Sequence, residues 1–155
     1  MIYSFDTGPF VEFNKGMPID ICVSLWAKFD EMGKDGTLVV SEEVKVELDE
    51  GHTDDPARVW LSERPDLIVP SGEVQDIQAS ILRDHPTLVD PEQTRSNHAD
   101  PFVIAVAEFK GAAVVATEAH KNKGAPWDKI PDVCKARGIP YYRHLDFLRK
   151  QGIKL

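Results

Sequence analysis

The chain has 155 residues, of which 42% are hydrophobic and 28% charged. This length and composition suffice for one compact domain with its own core, so we expect residues 1–155 to form a single domain. Its formal net charge of -8 argues against a protein that coats nucleic acid through a general basic surface. Two cysteines are too few for a disulfide framework or a zinc site, so we expect a reduced, cytoplasmic setting. No stretch approaches the ~20 apolar residues that span a bilayer, so we expect no membrane association.

The N-terminal segment predicts a short buried strand that ends in an acidic residue. Ile2, Tyr3 and Phe5 are apolar and strand-prone, and Gly8 and Pro9 predict a turn directly afterwards. The carboxylate of Asp6 is therefore expected at the carboxyl end of the strand. Taken alone, such an aspartate more often stabilises a turn than performs chemistry, so the rest of the chain has to decide.

A helix, a strand and a second helix are predicted next. Apolar residues spaced four, four and three apart form one stripe of a helix that ends near Gly33 or Gly36. This stripe consists of Ile21, Leu25, Phe29 and Met32. The stretch TLVV predicts a short strand, and Ser41 is the expected N-cap of a helix that ends at Gly51.

Within this second helix, one glutamate is expected at the edge of the core. Val44 and Leu48 lie one turn apart and define the buried face, and Glu47 lies about 60° around the helix from Val44 at ~100° per residue. The other glutamates of the helix are expected to point toward water; they are Glu42, Glu43 and Glu50. Glu47 is therefore the candidate for a functional role.

The middle of the chain predicts a small helix near residues 58–63, a short strand LIVP and an amphipathic helix that ends at His85. A more strongly apolar helix follows, with Asp100 as its N-cap, and we expect it to be buried. The stretch AAVVAT then predicts a buried strand with Thr117 and Glu118 at its carboxyl end.

The remainder predicts a short helix IPDVCKARG, a strand IPYY and a final helix HLDFLRKQG. Strands that alternate with helices pair in parallel through right-handed crossovers. The expected fold is therefore α/β, a three-layer α/β/α sandwich with a short, mainly parallel central sheet. In such folds, chemistry gathers at the carboxyl ends of the strands.

Four carboxylates are expected to converge at that edge of the sheet: those of Asp6, Glu47, Asp100 and Glu118. Carboxylates that share a low-dielectric crevice repel one another unless a cation offsets them. Hard oxygen ligands without an accompanying cysteine or histidine cluster favour Mg²⁺ or Mn²⁺ over zinc. Such ions polarise a phosphate and lower the pKa of a bound water, which indicates a phosphodiester substrate.

Four stretches in order along the chain also resemble the PIN-domain family, in particular a little-characterised PIN-like branch related to VapC-type toxins. They are YSFDT, VVSEEVKVELDEG, ADPFVIAVAEFKGAAVVATE and IPDVCKARGIP. The resemblance implies a metal-dependent endoribonuclease, often the toxin of a type II toxin–antitoxin pair. It also implies that Asp6, Glu47 and Asp100 correspond to the first three acids of the family.

The fourth acidic position departs from the family pattern. VapC-like relatives usually carry an acid or amide two residues after the threonine, where this chain has Ala119, and Glu118 stands one residue early. Either Glu118 substitutes through its longer side chain or a second metal is weakly held. Thr7 and Thr117 are candidates for supporting hydrogen bonds to metal ligands or water, or else for simple turn caps.

Two loops beside the predicted acids are candidates for binding RNA phosphates, with ordinary solvated loops as the alternative. The residues concerned are Arg95, Ser96, Asn97, His98, His120, Lys121 and Lys123. Neither histidine is expected to act as a general base, because a water held by the metal needs none.

The leading hypothesis is a ribonuclease that uses one or two Mg²⁺ or Mn²⁺ ions. Asp6 and Asp100 bind the first ion, Glu47 holds it or its water, and Glu118 completes a second site. Its expected partners are RNA, a cognate antitoxin and a second copy of the chain in a homodimer. Two alternatives stay open: an aspartyl phosphotransferase with Asp6 as nucleophile, and a catalytically degenerate PIN-like module that binds a partner protein.

Overall fold

The computed structural model describes residues 1–90, 92 and 97–155, and these form an α/β fold around a parallel sheet. Five strands pair in the order β3-β2-β1-β4-β5, and all four pairings are parallel. Their bounds are β1 Tyr3–Phe5, β2 Leu38–Ser41, β3 Ile68–Val69, β4 Ala113–Ala116 and β5 Tyr141–Arg143. Strands β1, β2 and β4 are buried throughout because helices cover both faces.

Eight α-helices and two 3₁₀ turns connect the strands within the described residues. The helices are α1 Thr7–Gly16, α2 Val23–Lys34, α3 Glu42–Asp49, α4 Pro56–Ser62, α5 Gln75–Asp84, α6 Asp100–Lys110, α7 Ile130–Arg137 and α8 His144–Lys150. The 3₁₀ turns span Pro65–Leu67 and Ser71–Glu73. The predicted three-layer α/β/α sandwich is confirmed.

An aromatic core fills one face of the sheet. The ring of Phe5 in β1 packs against Phe10 of α1, Phe29 of α2 and Phe147 of α8, with ring centroids 5.1–5.6 Å apart. Trp60 of α4 joins the same core through Phe10. Edge-to-face and tilted contacts of this kind stabilise a core beyond simple burial.

Helix α6 lies against the opposite face of the sheet. Ser4, which alternates with Tyr3 and Phe5 along β1, donates a hydrogen bond from its buried hydroxyl to the Val103 carbonyl of α6 at 3.0 Å. The helix is buried along most of its length, as its composition predicts. Its first residue, Asp100, therefore lies at the carboxyl edge of the sheet, on the face away from the aromatic core.

The prediction of a turn after Asp6 is wrong, because α1 begins at Thr7. Pro9 lies within the first turn of this helix, where a missing N–H costs no internal hydrogen bond. The helix is stabilised by burial of Pro9, Phe10 and Phe13 against the aromatic core. The Gly-Pro pair marks the start of a helix here rather than a loop.

Other element boundaries agree with the sequence predictions to within a few residues. Ser41 caps α3, accepting a hydrogen bond from the Glu43 N–H at 3.2 Å. Asp100 is the first helical residue of α6 rather than its cap, a position that Ala99 takes. Ile21 precedes α2 and is exposed, and Trp26 contributes to the buried face instead.

Among the helices of the described ranges, the longest has 12 residues, and none combines the length and apolarity that a membrane span requires.

Candidate metal centre

Three acidic side chains from distant parts of the chain meet at the carboxyl edge of the sheet. Asp6 follows β1, Asp100 begins α6 and Glu118 lies two residues beyond the end of β4. One carboxylate oxygen of each lies within 4.8 Å of the others. Asp6 and Asp100 are buried, and Glu118 is half-buried. Three carboxylates this close form a candidate site for a metal ion.

Strand register explains why Asp6 faces Asp100. Phe5 pairs with Val115 of β4, and the Asp6 N–H continues this ladder by donating to the Val115 carbonyl at 2.9 Å. Since side chains alternate along a strand, Asp6 lies on the same face as Ser4, the face covered by α6. The chain direction of α6 then brings Asp100 to the same edge.

Burial and neighbouring negative charge raise the pKa of Asp6 to about 7. Removal from water is the largest cause, and the carboxylates of Glu47 and Glu118 raise the pKa further. The backbone N–H groups of Thr7 and Gly8 lower it in part, although neither forms a cap hydrogen bond of normal geometry. In the absence of a cation, this environment disfavours the charged form of Asp6.

Glu47 reaches the centre through Thr7 rather than as one of the three clustered acids. The Thr7 hydroxyl donates to the Glu47 carboxylate over 2.5 Å, which links the start of α1 to α3. Glu47 is half-buried, and its charge contributes to the raised pKa of Asp6. The clustered oxygens therefore come from Asp6, Asp100 and Glu118, while Glu47 is hydrogen-bonded to Thr7, the residue after Asp6.

The segment that carries Glu118 is held on several sides. Its carboxylate accepts from the Ile130 N–H of α7 at 3.4 Å, and its carbonyl accepts from the Tyr141 hydroxyl of β5. Thr117 packs against the first turn of α1 so closely that a Cβ at Gly8 would lie 2.5 Å from the threonine hydroxyl. A glycine is therefore required where α1 meets the end of β4.

The candidate RNA-binding residues divide into several groups. Arg95 and Ser96 lie outside the described residues. Asn97 is buried and donates to the Leu88 carbonyl at 2.6 Å, which does not fit the prediction of an exposed phosphate contact. His98 and Lys123 are exposed, as that prediction requires.

The other two candidates, His120 and Lys121, are engaged with acidic residues. A ring nitrogen of His120 lies 2.9 Å from the Asp132 carboxylate, and Lys121 forms an ion pair with Asp128 at 2.7 Å. These contacts fold the loop after β4 onto the start of α7. Binding of a phosphate by Lys121 requires competition with Asp128.

Arg143 is a cationic residue at this edge that the sequence analysis missed. It ends β5, next to the end of β4, and its Nε donates to the Thr117 carbonyl at 3.2 Å. The signal was present, because the rule that selected Asp6 and Glu118 at strand ends applies equally to the arginine that follows the predicted strand IPYY.

Comparison with known families gives one result. A family model described as a domain of unknown function (DUF4411) matches residues 3–155, almost the whole chain. No curated protein matches the chain.

Proposed function

The chain belongs to the DUF4411 family, and we propose that it is a divalent-metal-dependent endoribonuclease that hydrolyses RNA phosphodiester bonds. The observation that carries this proposal is the convergence of Asp6, Asp100 and Glu118 at the carboxyl edge of a parallel sheet. Acids placed so closely repel one another. A bound cation would offset this repulsion, which supports the proposal.

The donor set fits Mg²⁺ or Mn²⁺. All three ligand candidates are hard carboxylate oxygens, and neither cysteine belongs to the cluster. The three oxygens lie within 4.8 Å of one another, so small movements of the side chains would let Asp6, Asp100 and Glu118 hold one ion together.

A bound ion of this kind polarises a phosphodiester and lowers the pKa of the water that attacks it. The protein's own residues prepare the site. Asp6 and Asp100 are buried, so their charges act in a medium that weakens electrostatic forces less than water does. Thr7 orients the Glu47 carboxylate by its hydrogen bond, which leaves Glu47 positioned to accept a proton or to hold a ligand of the ion.

The choice of RNA as substrate is supported by the resemblance of four stretches of the chain to PIN-domain ribonucleases. Arg143, whose Nε donates to the Thr117 carbonyl at the end of β4, suits a phosphate-bearing substrate despite the acidic net charge. Among PIN-like proteins the related VapC-type branch acts as toxins. We therefore extend the proposal to a toxin whose partner is a small antitoxin protein.

The proposal is tested with purified protein and a labelled RNA. We expect cleavage in Mg²⁺ or Mn²⁺, none in EDTA, and restoration when the ion is returned. A DNA of the same sequence serves as the control substrate. Binding of Mn²⁺ without cleavage of any RNA would contradict the ribonuclease proposal and favour a degenerate module that binds a partner protein.

The toxin proposal requires a separate test in cells. Expression of the wild-type chain should arrest growth, whereas expression of Asp100→Asn should not. Co-expression of the protein encoded by the adjacent gene should relieve the arrest. Normal growth of cells that contain active ribonuclease would contradict the toxin role and leave the enzymatic proposal intact.

A further inference from the structure

Glu118 differs from the other two clustered acids in how its backbone is held. Strand β4 pairs with β1 as far as Val115 and with β5 as far as Ala116. Glu118 lies two residues beyond the end of β4, whereas Asp100 is part of a helix. The position of the Glu118 carboxylate therefore depends on contacts other than the pairing of strands.

Two side chains of β5 supply such contacts to the main chain after β4. The Tyr141 hydroxyl donates to the Glu118 carbonyl, and the Arg143 Nε donates to the Thr117 carbonyl at 3.2 Å. Arg143 is exposed and Tyr141 is half-buried, so the bond from Tyr141 is better shielded from water. Tyr141 is thus the stronger of the two supports, and it acts on the residue that carries the acid.

Strand register explains why Tyr141 can reach this backbone. Tyr141 pairs with Val114 of β4, and Val114 pairs with Ser4 of β1. Paired residues of parallel strands point to the same face of a sheet, so Tyr141 lies on the face that α6 covers. Asp6 lies on that face too, which places the Tyr141 side chain on the same side of the sheet as the acidic cluster.

The Glu118 side chain itself is held less firmly than its backbone. Its carboxylate accepts from the Ile130 N–H at 3.4 Å, near the upper limit for a hydrogen bond. The bond from Tyr141 to the Glu118 carbonyl fixes the point from which this carboxylate projects. Partners that orient a metal ligand without contacting the ion typically contribute about 10- to 100-fold to metal affinity.

We propose that Tyr141 is a positioning residue of the metal centre. Its hydroxyl holds the backbone of Glu118 so that the Glu118 carboxylate can bind the same ion as Asp6 and Asp100. The inference rests on the proposed function only in that the acidic centre binds a divalent ion, and it holds whether or not that ion cleaves RNA. It assigns to β5, which contributes no acid to the cluster, a part of the affinity for the ion.

The first experiment compares Tyr141→Phe with Tyr142→Phe, which remove the same hydroxyl from adjacent residues of β5. Tyr142 lies on the opposite face of the strand, where its ring packs edge-on against Tyr3. Dissociation constants for Mn²⁺ are measured by calorimetry on the purified proteins. We expect Tyr141→Phe to weaken Mn²⁺ binding about tenfold and Tyr142→Phe to leave it within about twofold of wild type.

Melting temperatures distinguish positioning from a purely structural role. Loss of one hydrogen bond can lower the melting temperature of either variant in EDTA by a few degrees. A purely structural role would give the same loss with Mn²⁺. If Tyr141 positions Glu118, the rise on adding saturating Mn²⁺ should be roughly 3–6 °C smaller in Tyr141→Phe than in wild type, as tenfold weaker binding requires.

A double-mutant cycle tests whether Tyr141 acts through Glu118. Glu118→Gln removes the charge that Tyr141 is inferred to position. Tyr141→Phe should therefore weaken Mn²⁺ binding by less than about threefold in the Glu118→Gln background, against about tenfold in the wild type. A tenfold loss in both backgrounds would contradict the inference, because Tyr141 would then act on the ion by another route.

The outcomes separate this inference from the proposed function. If the wild type binds Mn²⁺ and Tyr141→Phe binds it as tightly as Tyr142→Phe does, the role of Tyr141 is wrong and the metal centre stands. If Tyr141→Phe loses affinity as expected but the wild type cleaves no RNA, the ribonuclease is wrong and the role of Tyr141 stands. A wild type that binds no Mn²⁺ would overturn both.

Discussion

The two ends of helix α6 differ in the charged side chains around them. At its first turn, Asp100 lies among other acids, with a carboxylate oxygen of Asp6 and one of Glu118 within 4.8 Å of one of its own. In its last turn, Glu108 accepts from Arg137 at 3.0 Å, and the same guanidinium donates to Asp84 at 3.3 Å. Acidic side chains gather at the first turn, whereas at the last turn the acidic side chains form ion pairs with an arginine.

This difference separates the candidate metal site from a structural network of ion pairs. The network around Arg137 joins the ends of α5, α6 and α7 and needs nothing from outside the chain. At the acidic centre, by contrast, burial and the carboxylates of Glu47 and Glu118 raise the pKa of Asp6, and all three clustered side chains are acids. If the two ends differ in this respect, substitutions at the first turn should change the response to a metal ion and substitutions at the last turn should not.

The largest expected effect is on cleavage at the acidic end. Asp100→Asn removes a charge that the ion requires while keeping the shape of the side chain, so RNA cleavage should fall at least about 100-fold. Asp35→Asn makes the same chemical change at an exposed position beyond the end of α2 and should leave cleavage within about twofold of wild type. Cleavage rates in Mn²⁺ provide the measurement, and equal rates for the two variants would contradict the metal-ligand role of Asp100.

A somewhat smaller loss is expected when the support around the cluster is altered. Glu47→Gln keeps a partner for the Thr7 hydroxyl but removes the charge, and cleavage should fall about 10- to 100-fold. Glu43→Gln lies about one turn earlier on α3, where the side chain accepts from Ser71 instead, and cleavage should change little. A greater loss in Glu43→Gln would show that the wrong face of α3 has been assigned to the site.

The raised pKa of Asp6 predicts how the metal-free protein responds to pH. Because the folded pKa of about 7 lies above the ordinary value of 3.8, the folded state binds more protons than the unfolded state between these values. Protonation of Asp6 therefore stabilises the folded state. This contribution to the free energy of unfolding is complete below about pH 4, is lost as the pH rises through 7, and amounts to about a few kcal/mol. Melting temperatures of wild type and Asp6→Asn in EDTA should therefore coincide at low pH and diverge toward pH 8, with the variant higher; a constant difference would contradict the raised pKa.

The smallest effect is expected at the last turn of α6. A substitution there should lower the stability of the protein, whereas Asp6→Asn should raise it in EDTA. Arg137→Gln breaks two ion pairs whose acids are partly exposed, so it should lower the free energy of unfolding by about 1 kcal/mol. The loss should be similar with EDTA and with Mn²⁺, since the network is independent of the metal. Denaturant unfolding in both conditions provides the measurement, and a loss that depends on Mn²⁺ would show that the two ends are coupled.

Much of the fold could be predicted because local patterns and topology agree. The stripe of α2, the Ser41 cap and the apolar β4 each identify an element, and the alternation of strands and helices implies a parallel sheet. Helix α1 could not be recognised as easily. Its Gly-Pro pair is typical of turns. The helix forms because Phe10 and Phe13 are buried in the aromatic core, a contact that the local sequence does not reveal.

The acids of the centre could be predicted for a similar reason. Strand ends that share one edge of a sheet bring distant residues together, and this rule predicts from the sequence that Asp6 and Glu118 lie at that edge. The contact between Thr7 and Glu47 and the inward orientation of Asn97 depend on side-chain packing, which the sequence does not reveal. The position of Arg143 opposite Ala116 depends on the order of the strands.

The central claim is that Asp6 helps to bind a metal ion and does not merely precede the first turn of α1, and one measurement tests this claim most directly. The melting temperatures of wild type and Asp6→Asn are compared at pH 8 with EDTA and with Mn²⁺. At about one hundred times its dissociation constant, Mn²⁺ should stabilise the wild type by roughly 2.7 kcal/mol, which corresponds to several degrees. Asp6→Asn should melt above the wild type in EDTA and lose most of this gain; a variant that melts lower in EDTA and responds fully to Mn²⁺ would contradict the account.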